Sequence, residues 1–573
     1  MLVSNLQKFL LKQLKSLSQD YHFDIKKEDL NLDIPPHEEL GDYSTTVAFK
    51  IAKQINKSPL EVANLIKAQA SEKKPSFIKQ IEAKEPGYLN FFIEEKFLLK
   101  EFETLSRLKF KVKINNKKAP VIIEYSAPNI AKPMHIGHLR STIIGESLSR
   151  IYEFLGFKVI RWNYLGDWGT QFGKLIAAYK LWGDKKEIEK NPIDSLLKLY
   201  QKFHEELKTK PELEELGRSE FKKLVLGDKT NLKLWQWFRK ESLKDFKRIY
   251  NLLGIKFDIL KGEADFEKDI QPLIKLLKHK NLIQESEGAL IISLDKFNLP
   301  VALVQKSDET SLYLTRDLAS LIYRLKNFHP QQILYVVGGE QELYFKQLFA
   351  IIKLLLPRLK TELVHVKFGL VLNTNKKKFS TREGKLILLE DVLKEAKEKA
   401  LLIIKAKHPE WKKEKQEKMA LKLALAALKF NDLKSYRTTN LIFDWDKMYD
   451  FKGASAVYLL YTYARFHKIL KKAPKVKKYD FRYLNSPLEI NLIKKAISFR
   501  EALNKSLQEL APNILATYLL NLADSLNNYY EAVIILKEKD INRKSARLKL
   551  IEQILIILAL GLKILGIETL EEI

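Results

Sequence analysis

Three stretches of this chain change, within a few residues, from a short apolar run to a helical repeat, and that recurring switch constrains the fold more than any other feature. In "VIIEYSAP" (121–128) a buried strand runs into a turn. The helix that follows carries Leu139, Ile143, Ile144, Leu148, Ile151 and Leu155 on one face and stops at Gly156. "SLYLTRDLASLIYRL" (311–325) and "QILYVVGGEQELYFKQLFAIIKLL" (332–355) each read as a strand running into a helix, and "FKVIRWNYLGDWG" (157–169) reads as a strand with a glycine-rich end. Repeated strand–helix units imply a parallel sheet with helices on both faces, whose ligands bind beyond the carboxyl ends of the strands.

At 573 residues the chain is too long for one core, and two to four domains are expected. Up to about residue 110 it reads as a separate unit: an amphipathic opening helix, a helical stretch in "HEELGDYSTTVAFKIAKQINKSPLEVANLIKAQA" and a strand in "PGYLNFFIEE", with "KFKVKINNKKAP" as a linker. Between about 175 and 295 lies a mostly helical insertion, in which Trp235, Phe238, Phe246, Ile249 and Leu253 form a stripe read as core rather than as a stacking surface. From about 395 onward the pattern is helical. Lys and Arg outnumber Asp and Glu, 100 to 71, a net charge of +29 that points to a polyanionic partner, with compositional drift towards Lys, Ile and Asn as the bland alternative. The absence of cysteine excludes disulfides, thiolate metal sites and a cysteine nucleophile. The opening helix lacks a signal-peptide core, and "ILIILALGLKILGI" is broken by Lys563, short of the ~20 apolar residues of a membrane span. A soluble, cytoplasmic protein with no membrane association is expected.

"SAPNIAKPMHIGHLRS" (126–141) sets His135 and His138 three apart between the strand-end turn and the helix. Zinc ligation needs three or four ligands, and the other eight histidines are scattered without a second pair, so no metal site is expected. No serine sits in an elbow-type turn. Two imidazoles at a helix N-terminus suit phosphate, since free backbone N–H groups and the helix dipole there favour an anion, and Gly137 clears space for a base or ribose. The loop Lys378-Phe379-Ser380-Thr381-Arg382-Glu383-Gly384-Lys385 adds cations and a hydroxyl suited to a polyphosphate leaving group; alone, it reads equally as a basic surface loop.

"HIGH" followed by a lysine/serine loop resembles the two ATP motifs of the class I aminoacyl-tRNA synthetases. "EYSAPNIAKPMHIGHLRST", "NYLGDWGTQFGKLI", "YLTRDLA", "VVGGEQELYFKQLF" and "FSTREGK" resemble the arginyl members of that class, as do "GDYSTTVAFKIAK" and "PGYLNFFI" near the N-terminus and the last 27 residues. The resemblance implies an α/β fold: a Rossmann-like parallel-sheet catalytic domain at 113–435 holding the insertion, an α+β N-terminal domain at 1–112 that contacts tRNA, and an all-α anticodon-binding domain at 436–573. It implies ATP-dependent activation of L-arginine to an adenylate and transfer to tRNA(Arg), with ATP as substrate, Mg²⁺ accompanying the triphosphate, and a monomer.

The resemblance also assigns residues. His135, Gly137 and His138 would serve ATP, with His138 also meeting arginine, and Lys378, Phe379 and Ser380 would follow the departing pyrophosphate. The second lysine of the usual loop is missing here, with Arg382 at the end of the run, and Lys132 would cover the gap. The arginine pocket would draw on Glu124, Asn129, Tyr313, Asp317 and Gln341, two carboxylates suiting a guanidinium's fixed fork of donors. Glu124 could instead pair with a structural arginine, and Asp317 could merely favour a helix N-terminus. Ala127 and Tyr344 depart from residues common in the family. Gly166 to Gly169 would shape the pocket without chemistry. Among Tyr458, Tyr461, Tyr463, Arg465, Tyr529 and Tyr530 some would stack on RNA bases and others would be core, while Leu460 and Tyr463 replace residues common in the family. A small-molecule nucleotidyltransferase and a non-catalytic tRNA-binding paralogue are the rivals; length and charge oppose the first, and the retained His135, His138, Lys132 and Ser380 oppose the second.

Overall fold

The computed structural model describes residues 2–26, 29–35, 37–111, 119–305, 313–372, 387–476 and 478–573. Packing groups the chain into two compact units: Met1–Lys111, Arg465–Glu501 and Asn521–Leu558 in one, and Val112–Ala464, Ala502–Leu520 and Ala559–Ile573 in the other.

The first unit opens with α1 (Leu2–Tyr21), which buries Leu6, Leu10, Leu14 and Leu17 at helical spacing. The stretch expected to be helical contains β1 (Tyr43–Thr45) before α2 (Val47–Ile55) and α3 (Pro59–Glu72), the last capped by Ser58 and Glu61 in a reciprocal box. β2 (Ile78–Lys84) and β3 (Tyr88–Ile93) complete an antiparallel sheet ordered β1-β3-β2. α4 (Glu95–Arg107) packs against the helix Pro487–Ile497, and Phe102 meets Phe481 with ring centroids 4.9 Å apart.

The second unit is built on a five-stranded sheet. It begins at its centre with β4 (Val121–Glu124), all four residues buried, then α5 (Ile136–Phe154) and β5 (Val159–Leu165). Five helices follow: α6 (Thr170–Trp182), α7 (Lys185–Lys190), α8 (Pro192–Glu206), α9 (Glu212–Val225) and α10 (Lys229–Leu253). Phe238, Phe246, Ile249 and Leu253 of α10 are core, as the stripe implied. The chain does not stay helical to 295. It returns to the sheet as β6 (Ile259–Gly262), passes through a 3-10 turn (Glu263–Asp269) and α11 (Ile270–His279), and forms an antiparallel sheet from β7 (Gln284–Ser286), β8 (Ala289–Leu294) and β9 (Leu299–Gln305).

Then come α12 (Tyr313–Phe328), β10 (Gln332–Tyr335), α13 (Glu342–Leu355) and β11 (Glu362–His365). Tyr313 to Leu325, expected to begin as a strand, is helix throughout; its apolar residues repeat at 314, 318 and 321, the helical period. The sheet order is β11-β10-β4-β5-β6, every pairing parallel. Strand order reverses between β4 and β10, the point at which such sheets open a crevice beyond their carboxyl ends. A short parallel pair, β12 (Val371–Leu372) and β13 (Leu441–Ile442), lies outside this sheet, as do α14 (Leu389–Lys407) and α15 (Lys413–Leu433). No helix among the described residues is long and apolar enough to cross a membrane.

Candidate active site

The turn after β4 holds Ser126, Ala127 and Ala131 at positive φ (74°, 45° and 60°), a conformation that costs non-glycine residues of order 1 kcal/mol each and persists only where neighbours enforce it. Ser141 Oγ accepts from Ser126 N–H, Ser242 Oγ accepts from Ala131 N–H, and Ser126 Oγ lies 2.7 Å from Tyr250 Oη. The turn delivers the chain to His135, which caps α5.

His135 Nδ1 accepts from Gly137 N–H at 3.1 Å, and His138 Nδ1 accepts from His135 N–H at the same distance. Each neutral ring is therefore the tautomer that carries its proton on Nε2. Burial, aided by the neighbouring His135, holds His138 down to about 3, so it stays uncharged. The expectation of free backbone N–H groups here is corrected. Ile136 N–H donates to Ile387 O, Gly137 N–H to His135 Nδ1, and His138 N–H to His135 O. The rings have taken over the capping, so anion donors at this helix end are side-chain Nε2–H groups. A Cβ at Gly137 would stand 3.0–3.1 Å from the His135 ring, so glycine leaves the ring room to keep its capping position.

Lys378, Phe379 and Ser380 lie outside the described residues, but both flanks of their loop are held by the histidine helix. Ile387 and Leu389 bond to the Met134–Ile136 backbone, with His135 and Leu388 in antiparallel register. On the other flank Arg140, 1% exposed, donates to Gly369 O (2.7 Å) and Leu370 O (3.1 Å), and also to Arg437 O and Thr439 O. Lys132 Nζ lies 5.1 Å over the Tyr200 ring of α8.

Because the strands are parallel, their carboxyl ends bring the other predicted residues to one side of the sheet. Asn129 bridges to Gly166 after β5, where an added Cβ would fall 1.8 Å from Asn129 Oδ1. Asp167 is fully buried, accepting from Arg239 and from Ala264 N–H, in keeping with a shaping role. Tyr313, the first residue of α12, is 54% exposed, and its Oη lies 3.9 Å from where a Cβ on Gly169 would be. Gln341 ends a 3-10 turn after β10 and is exposed.

The carboxylates separate into two kinds. Glu124 forms a buried ion pair with Arg324, the structural alternative foreseen for it. Glu263, just after β6, pairs with Arg316 at 3.2 Å, and burial still pushes it up to about 8. Asp317 accepts a hydrogen bond from Tyr344 and, among the described residues, has no cationic side chain at ion-pair distance; burial raises it above the ordinary aspartate range. Sequence reasoning missed Glu263, Arg316 and Arg324. The signal for Glu263 was there, a Gly-Glu after the apolar "FDIL", but lay inside the span read as helical.

The residues assigned to RNA diverge. Tyr461 is 39% exposed, meets the Phe451 ring edge to face and has Lys407 Nζ 4.9 Å over its own ring, and Tyr458 is half-buried. In the other unit Arg465 packs on the Tyr530 ring at 4.7 Å. Tyr529 is corrected: it is fully buried and donates to Glu489 Oε1, so no base can stack on it.

An open parallel sheet with a glycine-spaced histidine pair capping the helix after its central strand, in a chain with further tRNA-synthetase domains on either side, is the arrangement of a class I aminoacyl-tRNA synthetase. The family model described as tRNA synthetases class I (R), catalytic domain, matches residues 103–445; the arginyl tRNA synthetase N terminal domain matches 4–93 and the DALR anticodon binding domain 459–573. An arginine–tRNA ligase of Exiguobacterium sp. is 41% identical over 543 residues, 94% of each chain, and one of Clostridium botulinum is 39% identical over 565 residues, 97% of this chain and 98% of that one. The arginyl-tRNA synthetase of Plasmodium falciparum superposes with a TM-score of 0.84 at 25% identity, covering 100% of this chain and 99% of that one. The Thermus thermophilus arginyl-tRNA synthetase, at 23% identity, shares the fold over all of both chains with a TM-score of 0.83. The chain belongs to the arginyl-tRNA synthetase family, the class I ligases that make arginyl-tRNA for translation.

Proposed function

We propose that the crevice at the carboxyl end of the sheet joins L-arginine to ATP as arginyl-adenylate, releasing pyrophosphate, and passes the arginyl group to the 3′ end of tRNA(Arg), releasing AMP. The observation that carries this reading is Asp317: a half-buried carboxylate that, among the described residues, has no cationic side chain at ion-pair distance, where Glu124 and Glu263 each pair with an arginine. A substrate guanidinium supplies the missing partner, and its planar fork fills donor positions that a lysine ammonium leaves empty. Buried acceptors left unpaired make such discrimination steep. Glu124 receives the substrate's α-ammonium group, and Asn129, Tyr313 and Gln341 complete the pocket.

In activation the arginine carboxylate attacks the α-phosphorus, and negative charge grows on the phosphate and on departing pyrophosphate. His135 and His138 meet that charge with Nε2–H donors fixed before the reaction, each worth roughly 3 kcal/mol. Mg²⁺ enters with the triphosphate as part of the substrate. Lys378, Phe379 and Ser380 follow the leaving group, and Lys132 takes the place of the missing loop lysine; the flanks of the loop, held on the histidine helix, support this. The three-part division at 1–112, 113–435 and 436–573, with Tyr458, Tyr461 and Arg465 as RNA contacts, completes the reading.

The test is charging of tRNA(Arg) with labelled arginine, with lysine as control. Arginine-specific charging is expected; tight tRNA binding without charging would overturn the catalytic reading.

A further inference from the structure

Arg324 lies seven residues after Asp317 on α12, two helical turns along the same face. It is 1% exposed, and its guanidinium lies 4.3 Å from the Trp162 ring and 5.5 Å from those of Tyr164 and Tyr335. Trp162 on β5 and Tyr335 on β10 are the in-register neighbours of Glu124 on β4. The three side chains share one face of the sheet, and Arg324 is set among them with Glu124 as its carboxylate partner. The pocket for arginine thus contains an arginine of the chain's own.

We propose that Arg324 is a positioning residue for substrate selection: its ion pair keeps Glu124 ionised so that Glu124 receives the α-ammonium group of arginine. This rests on the arginine-pocket reading above. The groups facing Glu124 are Arg324 and Asp317 from α12, Trp162 from β5 and Tyr335 from β10, with Tyr164, Tyr344 and Glu263 acting beyond them through Asp317. Burial drives the Glu124 carboxyl up and the Asp317 charge adds to it; Arg324 opposes both. Without Arg324 the buried carboxyl holds its proton, as isolated buried charges do, and its attraction for the ammonium group is lost.

The experiment is the KM for arginine in tRNA charging between pH 6 and 8.5, in the wild-type chain and in R324Q, R324K, E124Q and the E124Q/R324Q double variant. Removing Arg324 also takes a nearby positive charge from Asp317, but it does so in both R324Q and the double variant, so the difference between those two isolates Glu124. R324Q is expected to raise KM at pH 6.5 roughly tenfold and to steepen its fall with pH by up to about one further decade per pH unit, one extra proton being expelled on binding. The double variant is expected to keep the raised KM with a slope shallower than that of R324Q, and R324K to fall between wild type and R324Q. An R324Q slope equal to that of wild type or of the double variant overturns the proposal; if R324Q does not fold, E124Q with KM for arginine and slope both equal to wild type does so. A double variant with wild-type KM instead shows that Glu124 does not meet substrate, and overturns the pocket reading beneath it.

Discussion

The His135 and His138 rings lie centroid to centroid at 3.8 Å, each accepting a backbone N–H through Nδ1. The pair is a helix cap turned outward: the inner nitrogens serve the backbone and the outer ones carry the protons. Glutamine at 138 places an amide donor near the position of Nε2, whereas asparagine reaches only as far as Nδ1. H138N is therefore expected to lower kcat for ATP–pyrophosphate exchange by ~10²-fold or more, and H138Q by clearly less. Equal losses would remove the donor role. Since burial holds His138 near 3, no inflection from its titration is expected between pH 5.5 and 8.

The arginine pocket should show its protons. Asp317 is raised chiefly by burial, and Glu263, pushed up to about 8 by burial and by the neighbouring Asp317 charge, titrates in concert with it, so a guanidinium arriving at Asp317 expels protons held by the pair. KM for arginine is expected to fall as pH rises from 6 to about 8 and to level off above it, because binding favours the ionised carboxylates. D317N is expected to lower kcat/KM for arginine roughly a hundredfold or more, since it leaves the bound guanidinium buried without its charge partner. Steady-state charging across this pH range checks both.

Gly166→Ala separates function from stability. The new Cβ would fall 1.8 Å from Asn129 Oδ1, the end of a surface side chain that can rotate away. Thermal unfolding is expected to change little, while the displaced amide raises KM for arginine ~10-fold, as loss of a well-placed hydrogen bond does. A lowered Tm with unchanged KM would argue against the proposed Asn129 contact.

Two tyrosines first grouped together should behave differently. Tyr529→Phe removes a buried donor to Glu489 and is expected to cost ~1 kcal/mol of stability with no change in tRNA affinity. Tyr461→Ala, at an exposed ring, is expected to weaken tRNA binding by ~1–3 kcal/mol if a base stacks there. Filter binding and thermal melts distinguish the two.

Much of the catalytic sheet was legible in the sequence, because it is written locally. The apolar run Val121–Ile123 of β4, the period of α5 and its stop at Gly156 are dictated by neighbours within a few positions, as is the placing of His135 and His138 at a helix start. Signals were lost where a short strand followed a long helical stretch, as at β6, or where a helix opened on apolar residues, as at Tyr313. By itself the amino-acid sequence determined the strand–helix alternation, the histidine cap and the positive charge of the chain.

Which carboxylate is left for the guanidinium was decided only in three dimensions. Glu124 and Arg324 are 200 residues apart in sequence, and Glu263 and Arg316 are 53 apart. Buried charge must find a partner, and the partner is chosen by strand order and helix packing rather than by spacing along the chain. The same holds for Tyr529, whose burial against Glu489 depends on packing between helices, and for the backbone N–H groups at His135, which the chain at Ile387 and the rings themselves take up. Periodicity reports what each segment prefers, while ion pairs and caps report which segments meet, and that is a property of the folded chain alone.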